Sequence, residues 1–265
     1  MNLLKAELHC HNQFSNFQLD LTEPPYDCGI TITEQLEQAS RLGLDVLFVT
    51  NHNTLDGYSA LLEYQKHHER LKDIHVYPAE EITADSGTHI IAYGISETIK
   101  LGQSVDEILD KIKSQGAVSC APHPFGLSNG LREKASLCDL IEVFNSNNVD
   151  RYSNIRASHF AKINHMVEVA GSDSHVLSTL GRCTNKIDSE NTLDDILDAM
   201  RKRAALLKER RARHLRYFAN GPVKKEYVIL ARAIVDDPVE LRRWLTTSIR
   251  YVAGRPRSRL RGGRW

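Results

Sequence analysis

The stretch Lys5-Ala-Glu-Leu-His-Cys-His11 is an apolar segment that ends in two histidines, and it predicts the first strand of the fold. Side chains two positions apart on a strand project from the same face, so His9 and His11 can reach one metal ion while Cys10 points away. Two hydrogen-bonded, partly buried histidines would give the same spacing. The rest of the chain has to separate these two interpretations.

Short apolar runs alternate with amphipathic stretches from residue 5 to about residue 203, a pattern typical of βα units around a largely parallel sheet. The predicted strands are Lys5–His11, Asp45–Asn51, His75–Thr83, Thr88–Gly94, Ala117–Pro122, Leu140–Asn145 and Val167–Ser172. The predicted helices are Thr33–Leu42, Leu55–Leu71, Ser104–Gln115 and Thr192–Arg203. This alternation predicts an α/β protein, either a barrel or an open doubly wound sheet.

Half of the twelve histidines lie at the ends of predicted strands, where α/β folds assemble their sites. The segments concerned are Thr50-Asn-His52, Glu80-Glu-Ile82, Gly87-Thr-His89, Pro122-His-Pro124 and Gly171-Ser-Asp-Ser-His175. Flanking prolines end the strand before His123 and restrict the direction of that side chain. His52 alone is a weak signal, and His89 fits a packing role as well as it fits ligation.

Taken in order, these segments resemble the PHP (polymerase and histidinol phosphatase) superfamily over roughly residues 5–200. The shared pattern is H-x-H, then T-[D/N]-H, an acid before Ile, H-P, and S-D-x-H. The resemblance implies a distorted (β/α)7 barrel, a cluster of two or three divalent metal ions (Mn, Zn or Fe) and hydrolysis of phosphoesters. Carried over by position, the metal ligands would be His9, His11, His52, Glu81, His89, His123, Asp173 and His175. Glu81 is preferred to Glu80 because it directly precedes the aliphatic Ile82.

The resemblance also implies residues that act in catalysis. They are His52, Asp173, Glu142 and Asn145. The last two belong to Ile141-Glu-Val-Phe-Asn145, which resembles the family's E-x-x-N element and would support the ligands or contact substrate. Solvated loop residues are the alternative for this pair. Arg182 is the best-placed cation for a substrate phosphate, although a surface salt bridge would explain it as well.

Two departures from the family pattern concern a third metal position. Ser15-Asn16 stands where phosphatase members carry Ser-Asp, and Thr50-Asn51-His52 stands for T-D-H. A carboxamide oxygen is a poorer ligand than a carboxylate, so a third site would be weaker. Otherwise, Asp20 or Asp27 of the long polar loop Asn12–Ile32 would replace the missing acid, and that loop would close over the site.

The net charge of zero conceals two oppositely charged parts. Residues 201–265 carry 19 basic and 5 acidic side chains, a net +14, which leaves −14 for the first 200. We therefore expect a PHP domain at 1–203 and a basic, mostly helical extension at 204–265 with an Arg/Gly tail. The extension would bind a nucleic-acid backbone, dock on the barrel as an oligomer contact, or form a solvated face.

The resemblance implies a metal-dependent phosphoesterase, and we expect it to act on a small phosphorylated substrate such as a nucleotide or a 3′,5′-bisphosphate. A 5′-end exonuclease on oligonucleotides and a non-catalytic, metal-binding regulatory module are the alternatives.

No apolar stretch reaches the roughly 20 residues that cross a bilayer, and the N-terminus lacks an apolar secretory segment. Together these observations predict a cytoplasmic protein without membrane contact.

Overall fold

A computed structural model describes residues 3–16, 27–208 and 216–219 of the chain. Its strands are β1 Leu3–Glu7, β2 Val46–Val49, β3 His75–Thr83, β4 His89–Tyr93, β5 Val118–Ala121, β6 Leu140–Asn145, β7 Val167–Gly171, β8 Cys183–Asp188 and β9 Arg216–Ala219. Its α-helices are α1 Ile32–Arg41, α2 Asp56–Lys66, α3 Val105–Ser114, α4 Arg151–Ile163 and α5 Leu193–Lys208.

In the described part of the chain the strands form one mixed sheet with the order β7-β6-β5-β4-β3-β2-β1-β8-β9. The β1–β2–β3 and β5–β6–β7 pairings are parallel. By contrast, β4 is antiparallel to both neighbours, and β8 is antiparallel to β1 and β9. Asn185 of β8 bonds both the N–H and the C=O of Ala170 on β7, so the sheet curls until its ends nearly meet. The predicted distorted α/β barrel is confirmed.

Buried apolar side chains fill the barrel and the space between its strands and helices. Phe48, Tyr93 and Leu140 belong to the interior cluster and are at most marginally exposed. Leu36 of α1 and Leu61 of α2 belong to a second cluster that packs these helices against β2. Full burial of such a side chain contributes about 1.5–3 kcal/mol each, which holds the strand ends in fixed relative positions.

Several elements differ from the sequence prediction. The histidine-bearing segment beyond Glu7 lies past the end of β1, and β8 and α4 were not predicted. Strand β8 escapes a pattern search because only two of its six residues, Cys183 and Ile187, are apolar. Helix α4 exposes Tyr152, Ile155 and Ile163, so its apolar residues do not lie on one stripe.

The predicted boundary at 203/204 falls inside α5, which continues to Lys208. Within the predicted helical extension, Arg216–Ala219 form β9, which pairs with β8 because an exposed sheet edge offers free backbone groups. The remainder of 204–265, including the Arg/Gly tail, lies outside the described residues. None of the helices that the structure describes is long and apolar enough to span a membrane.

Candidate metal centre

The segments that follow the strands are held together by backbone hydrogen bonds. Asp173 N donates to His9 O at 2.7 Å, and His11 N donates to Ser174 O at 3.2 Å. His52 forms an isolated bridge with Glu81, which joins the ends of β2 and β3. Because β4 runs antiparallel to β3, its first residue rather than its last reaches this edge. The eight residues predicted as ligands therefore meet at one end of the barrel.

Glu81 lies at the centre of the site, with each carboxylate oxygen facing a different group of imidazoles. Oε1 is 2.9 Å from His89 Nδ1 and 3.0 Å from His123 Nε2. Oε2 is 3.4 Å from His9 Nε2, 3.2 Å from His11 Nε2 and 3.3 Å from His52 Nδ1. Burial would raise the pKa of this carboxyl, but attraction to the facing imidazoles lowers the pKa well below its usual value.

Asp173 is a second carboxylate that faces the same nitrogen atoms. Its Oδ1 is 3.4 Å from His9 Nε2, 3.3 Å from His11 Nε2 and 3.5 Å from His175 Nδ1. Burial opposes ionisation, yet attraction to His9 holds the pKa of Asp173 well below its usual value. Two ionised carboxylates and several imidazoles therefore converge on a small buried volume.

Hydrogen bonds on the outer side of the rings determine which imidazole nitrogen points into the site. His9 Nδ1 lies 3.0 Å from Glu142 Oε1, which is a hydrogen-bond acceptor when ionised. Ser15 Oγ donates to Asn51 Oδ1 at 3.0 Å, so at 2.9 Å it accepts from His11 Nδ1. When both rings are neutral, as metal ligands must be, their Nε2 atoms carry the lone pairs, because a neutral imidazole has only one N–H.

This donor set fits divalent cations. The two Nε2 atoms of His9 and His11 are 3.2 Å apart, so in the neutral rings two lone pairs would face each other at contact distance. Glu81 Oε2 is buried beside them and makes no hydrogen bond with any described residue. Only a positive charge satisfies such a group of electron-pair donors, and imidazole with carboxylate suits Zn, Fe or Mn. Among the described residues, three sets of side chains are compact enough to hold an ion: His9, His11, Glu81 and Asp173; His11, Asp27, His52 and His175; and His52, Glu81 and His89.

Glu142 and Asn145 lie behind these side chains rather than among them. Besides contacting His9, Glu142 accepts hydrogen bonds through Oε2 from His123 N at 2.7 Å and from Asn145 Nδ2 at 2.8 Å. Asn145 Nδ2 also donates to Asp173 Oδ2 at 3.0 Å. Both residues are buried, so their geometry favours orientation of the cluster over direct contact with substrate.

Comparisons with known proteins agree with this arrangement. A family model described as PHP-associated matches residues 151–205. The uncharacterized protein MJ1587 of Methanocaldococcus jannaschii is 30% identical over 153 residues, which are 54% of this chain and 82% of that relative. The chain belongs to the PHP superfamily. The family expected from the strand-end motifs is thereby confirmed.

Solved structures show the same fold at low sequence identity. A two-domain Bacteroides vulgatus protein containing a predicted PHP-like metal-dependent phosphoesterase has a TM-score of 0.59 and 19% identity, with 77% of this chain and 64% of that chain covered. The lesion-specific endonuclease PfuEndoQ of Pyrococcus furiosus has a TM-score of 0.53 and 16% identity, with 76% and 56% covered. The chain thus spans less than two thirds of both proteins, and the likeness is one of fold.

Asn51, which stands where the family carries an acid, points away from the candidate metal ligands. Its Oδ1 accepts from Asn12 N at 2.8 Å and from Ser15 Oγ, and its Nδ2 donates to Asn12 Oδ1 at 2.8 Å. Asn12 Nδ2 in turn donates to Gln35 Oε1 of α1. Asn51 is therefore part of a buried amide network that fixes the segment after β1, and through Ser15 it orients His11.

The sequence motifs do not single out the Ser15 hydroxyl. Removing this hydroxyl tests whether the amide network around Asn51 orients His11. Ser15→Ala leaves Asn51 Oδ1 and His11 Nδ1 without their shared partner, so we expect about 10–100-fold weaker metal binding. Titration of the stripped protein with Mn²⁺ measures this effect. Ser119→Ala is the matched control, because Ser119 is equally buried and its hydroxyl contacts Asp139 instead. Equal metal affinities of the two variants would show that Ser15 does not orient a ligand.

Glu7 is a further residue that the motif pattern did not single out, although it lies only two positions before His9 of H-x-H. Its buried carboxylate accepts hydrogen bonds from the backbone N–H groups of His9 at 3.1 Å, Ser172 at 3.1 Å and Gly181 at 3.2 Å. Burial raises the pKa of Glu7 to about 7, although these hydrogen bonds oppose the shift. Glu7 thereby joins the segments that carry the ligands after β1 and β7.

Two of the clustered residues have strained backbones. His123 has φ 28° and Asp173 has φ 49°, in the left-handed region that side chains with a Cβ disfavour. Such a conformation costs about 1–3 kcal/mol, and His123 N and Asp173 N are held by Glu142 and His9 O respectively. The fold therefore holds the side chains of His123 and Asp173 in fixed directions at a cost in stability, as is common at functional sites.

Arg182 lies just beyond the loop that follows His175. Its side chain is half-buried, and Nε donates to Ser178 O at 3.3 Å. This contact directs the side chain along the 177–181 turn. A role in binding phosphate is a proposal that is tested together with the function below.

Proposed function

We propose that this PHP protein hydrolyses phosphoesters with the help of divalent metal ions, and that its substrate is a small phosphomonoester such as a nucleotide or a 3′,5′-bisphosphate. One observation carries the proposal: the buried Glu81 Oε2 faces imidazole nitrogens at 3.2–3.4 Å without a hydrogen bond among the described residues. In a purely structural ion pair, N–H groups would donate hydrogen bonds to such an oxygen. A cation-binding centre explains why electron-pair donors face one another instead.

When bound, divalent ions would neutralise phosphate oxygens and lower the pKa of an attacking water. The side chains of this chain supply the rest. Glu81 would hold the cluster together, while Glu142 and Asn145 keep His9 and Asp173 in their directions. Such pre-positioned groups need little rearrangement as charge develops on the substrate.

Asp173 and His52 are the best-placed residues of the cluster to meet substrate. The Asp173 side chain is 10% exposed and that of His52 is 19% exposed, whereas that of Glu81 is 1% exposed. Burial lowers the pKa of His52 to about 3, outweighing the attraction of nearby carboxylates, so the ring is neutral at pH 7. We infer that Asp173 Oδ1 accepts the proton of the attacking water and that His52 completes the cluster at its open side.

Oligonucleotide cleavage from a 5′ end is the second candidate. The net charge of +14 in residues 201–265 favours it, because a basic segment attracts a phosphodiester backbone with little sequence preference. The fold likeness to PfuEndoQ, a lesion-specific endonuclease, is compatible with contact to nucleic acid. In this candidate the metal centre is unchanged and only the substrate differs.

Metal removal tests the shared chemistry. Protein stripped with a chelator is expected to lose at least about 99% of its turnover, since removing even supporting residues costs 10–100-fold, and Mn²⁺ should restore it. The substrates are p-nitrophenyl phosphate, nucleoside mono- and bisphosphates, and 5′-labelled RNA and DNA. Arg182→Ala should raise KM for the preferred phosphate substrate more than it lowers kcat.

The same assay separates the candidates. Release of phosphate from mononucleotides but not from oligonucleotides supports the phosphatase, and shortening of labelled strands supports the exonuclease. Deletion of 220–265, which leaves β9 in place, should abolish only strand shortening if the basic segment binds the strand. Fully metallated protein that hydrolyses none of these substrates would instead be a metal-binding regulatory module, and the proposal would be wrong.

A further inference from the structure

Asn16 stands where the family carries a metal-binding acid, and its side chain is used for another purpose. Asn16 Oδ1 accepts hydrogen bonds from Asp27 N at 2.8 Å and from Cys28 N at 2.9 Å, and its Nδ2 donates to Cys28 O at 2.7 Å. A carboxylate could not make the last of these bonds, because it has no N–H. The carboxamide therefore clamps the backbone that presents Asp27.

The clamped Asp27 side chain points at the open side of the cluster. Its Oδ1 is 3.5 Å from His175 Nε2, and its Oδ2 is 3.9 Å from His52 Nε2. Oδ2 is buried and has no hydrogen-bond partner among the residues that the structure describes. Like Glu81 Oε2, this oxygen is a buried hydrogen-bond acceptor to which no described residue donates.

The imidazole nitrogens around Asp27 are oriented as ligands. His175 Nδ1 donates to Asp173 O at 3.0 Å, so in the neutral ring that metal binding requires, the Nε2 lone pair faces the carboxylate. Ligand atoms of His11, Asp27, His52 and His175 all lie within 4.8 Å of one another. Atoms bound to one cation at about 2.1 Å are separated by roughly 3–4 Å, so a small contraction would close this group around an ion.

We propose that Asp27 is the carboxylate ligand of a third metal position formed with His11, His52 and His175, and that Asn16 positions it. In this chain Asp27, eleven residues further along, thus takes the place of the acid that the family carries at position 16. Asn16 holds the backbone of Asp27 in position. The inference rests on the metal centre of the proposed function. Asp20, the other acid considered for this place, lies outside the described residues.

Metal stoichiometry tests this assignment without reference to activity. Chelator-stripped full-length protein is titrated with Mn²⁺ by calorimetry, and bound metal is counted by mass spectrometry after desalting. We expect three equivalents in the wild type and two in Asp27→Asn, with the third bound about 10–100-fold more weakly. Asp45→Asn is the control, since Asp45 is also half-buried but accepts from Lys5 N at the opposite end of β2.

Two further variants address the role of Asn16. Asn16→Ala should weaken the third equivalent while leaving the other two, because it removes the clamp but no ligand. Asn16→Asp combined with Asp27→Asn should not recover the third equivalent, since position 16 faces the loop backbone. If Asp27→Asn does not fold, an unchanged third affinity in Asn16→Ala overturns the proposal by itself.

The outcomes distinguish this inference from the proposed function. Three equivalents of unchanged affinity in Asp27→Asn, or recovery of the third by Asn16→Asp, would show that Asp27 is not the ligand while the metal centre stands. Two equivalents in the wild type would also overturn it, because no third position is then filled. Wild-type protein that binds no metal contradicts both the inference and the proposed function.

Discussion

Replacing Glu81 by glutamine is expected to remove most bound metal and to reduce turnover more than about 100-fold. Five imidazole nitrogens face this one carboxylate at 2.9–3.4 Å, and glutamine would substitute an uncharged oxygen and an N–H donor for its two negative oxygens. Substitution of residues that support metal ligands weakens metal binding or activity by up to about 100-fold. Loss of a carboxylate shared by five imidazoles should therefore reduce both by more than this factor. Metal content and kcat/KM of the purified variant measure the effect.

Glu80→Gln is the matched control, since Glu80 is the adjacent residue on β3 and points to the opposite side. Glu80 is buried, its Oε2 accepts from Ile99 N at 3.1 Å, and burial raises its pKa to about 8. A glutamine therefore resembles the protonated side chain that is already present at neutral pH. Metal content should stay at the wild-type value, and equal loss in both variants would contradict a special role for Glu81.

Gly171→Ala is expected to be strongly damaging although it adds only a single methyl group. A Cβ at this position would lie 2.0 Å from Glu142 Oε1 and 2.3 Å from His9 Cβ, so both side chains must move. Overpacking of this kind costs about 1–3 kcal/mol of stability. Displacement of Glu142 also removes the acceptor of His9 Nδ1, and we expect at least about tenfold weaker metal binding.

Gly116→Ala separates damage to the site from a general loss of stability. Gly116 has φ 68°, and a Cβ there would meet nothing within 4 Å in the described part of the protein. The left-handed conformation should cost about 1–2 kcal/mol in the unfolding free energy without altering Mn²⁺ affinity. Thermal denaturation and metal titration of both variants provide the comparison. Normal metal binding by Gly171→Ala would show that Glu142 and His9 can shift without consequence.

The amino-acid sequence by itself determined the family and the side chains that gather at the site. His9 with His11, and Asp173 with His175, are spaced motifs that the sequence displays directly, although both pairs lie beyond the ends of their strands in the structure. Their order along the chain matched the PHP pattern, and the fold confirmed the barrel. Glu81 was separated from Glu80 by its position directly before Ile82 in the family pattern, which is also a local property of the sequence.

Only the tertiary structure decided how the site is held. Glu7 reaches the backbone of Gly181 across 174 positions, Ser15 links Asn51 to His11, and Gly171 leaves room for Glu142 beside His9. Strands β4 and β8 run against their neighbours, which a one-dimensional pattern of apolar residues does not encode. Local spacing directs a side chain within its own segment, whereas the partners that orient or neutralise it come from segments that folding brings together. For that reason the candidate ligands could be read from the sequence, whereas the contacts of Asn16 with the backbone of Asp27 and Cys28 became visible only in three dimensions.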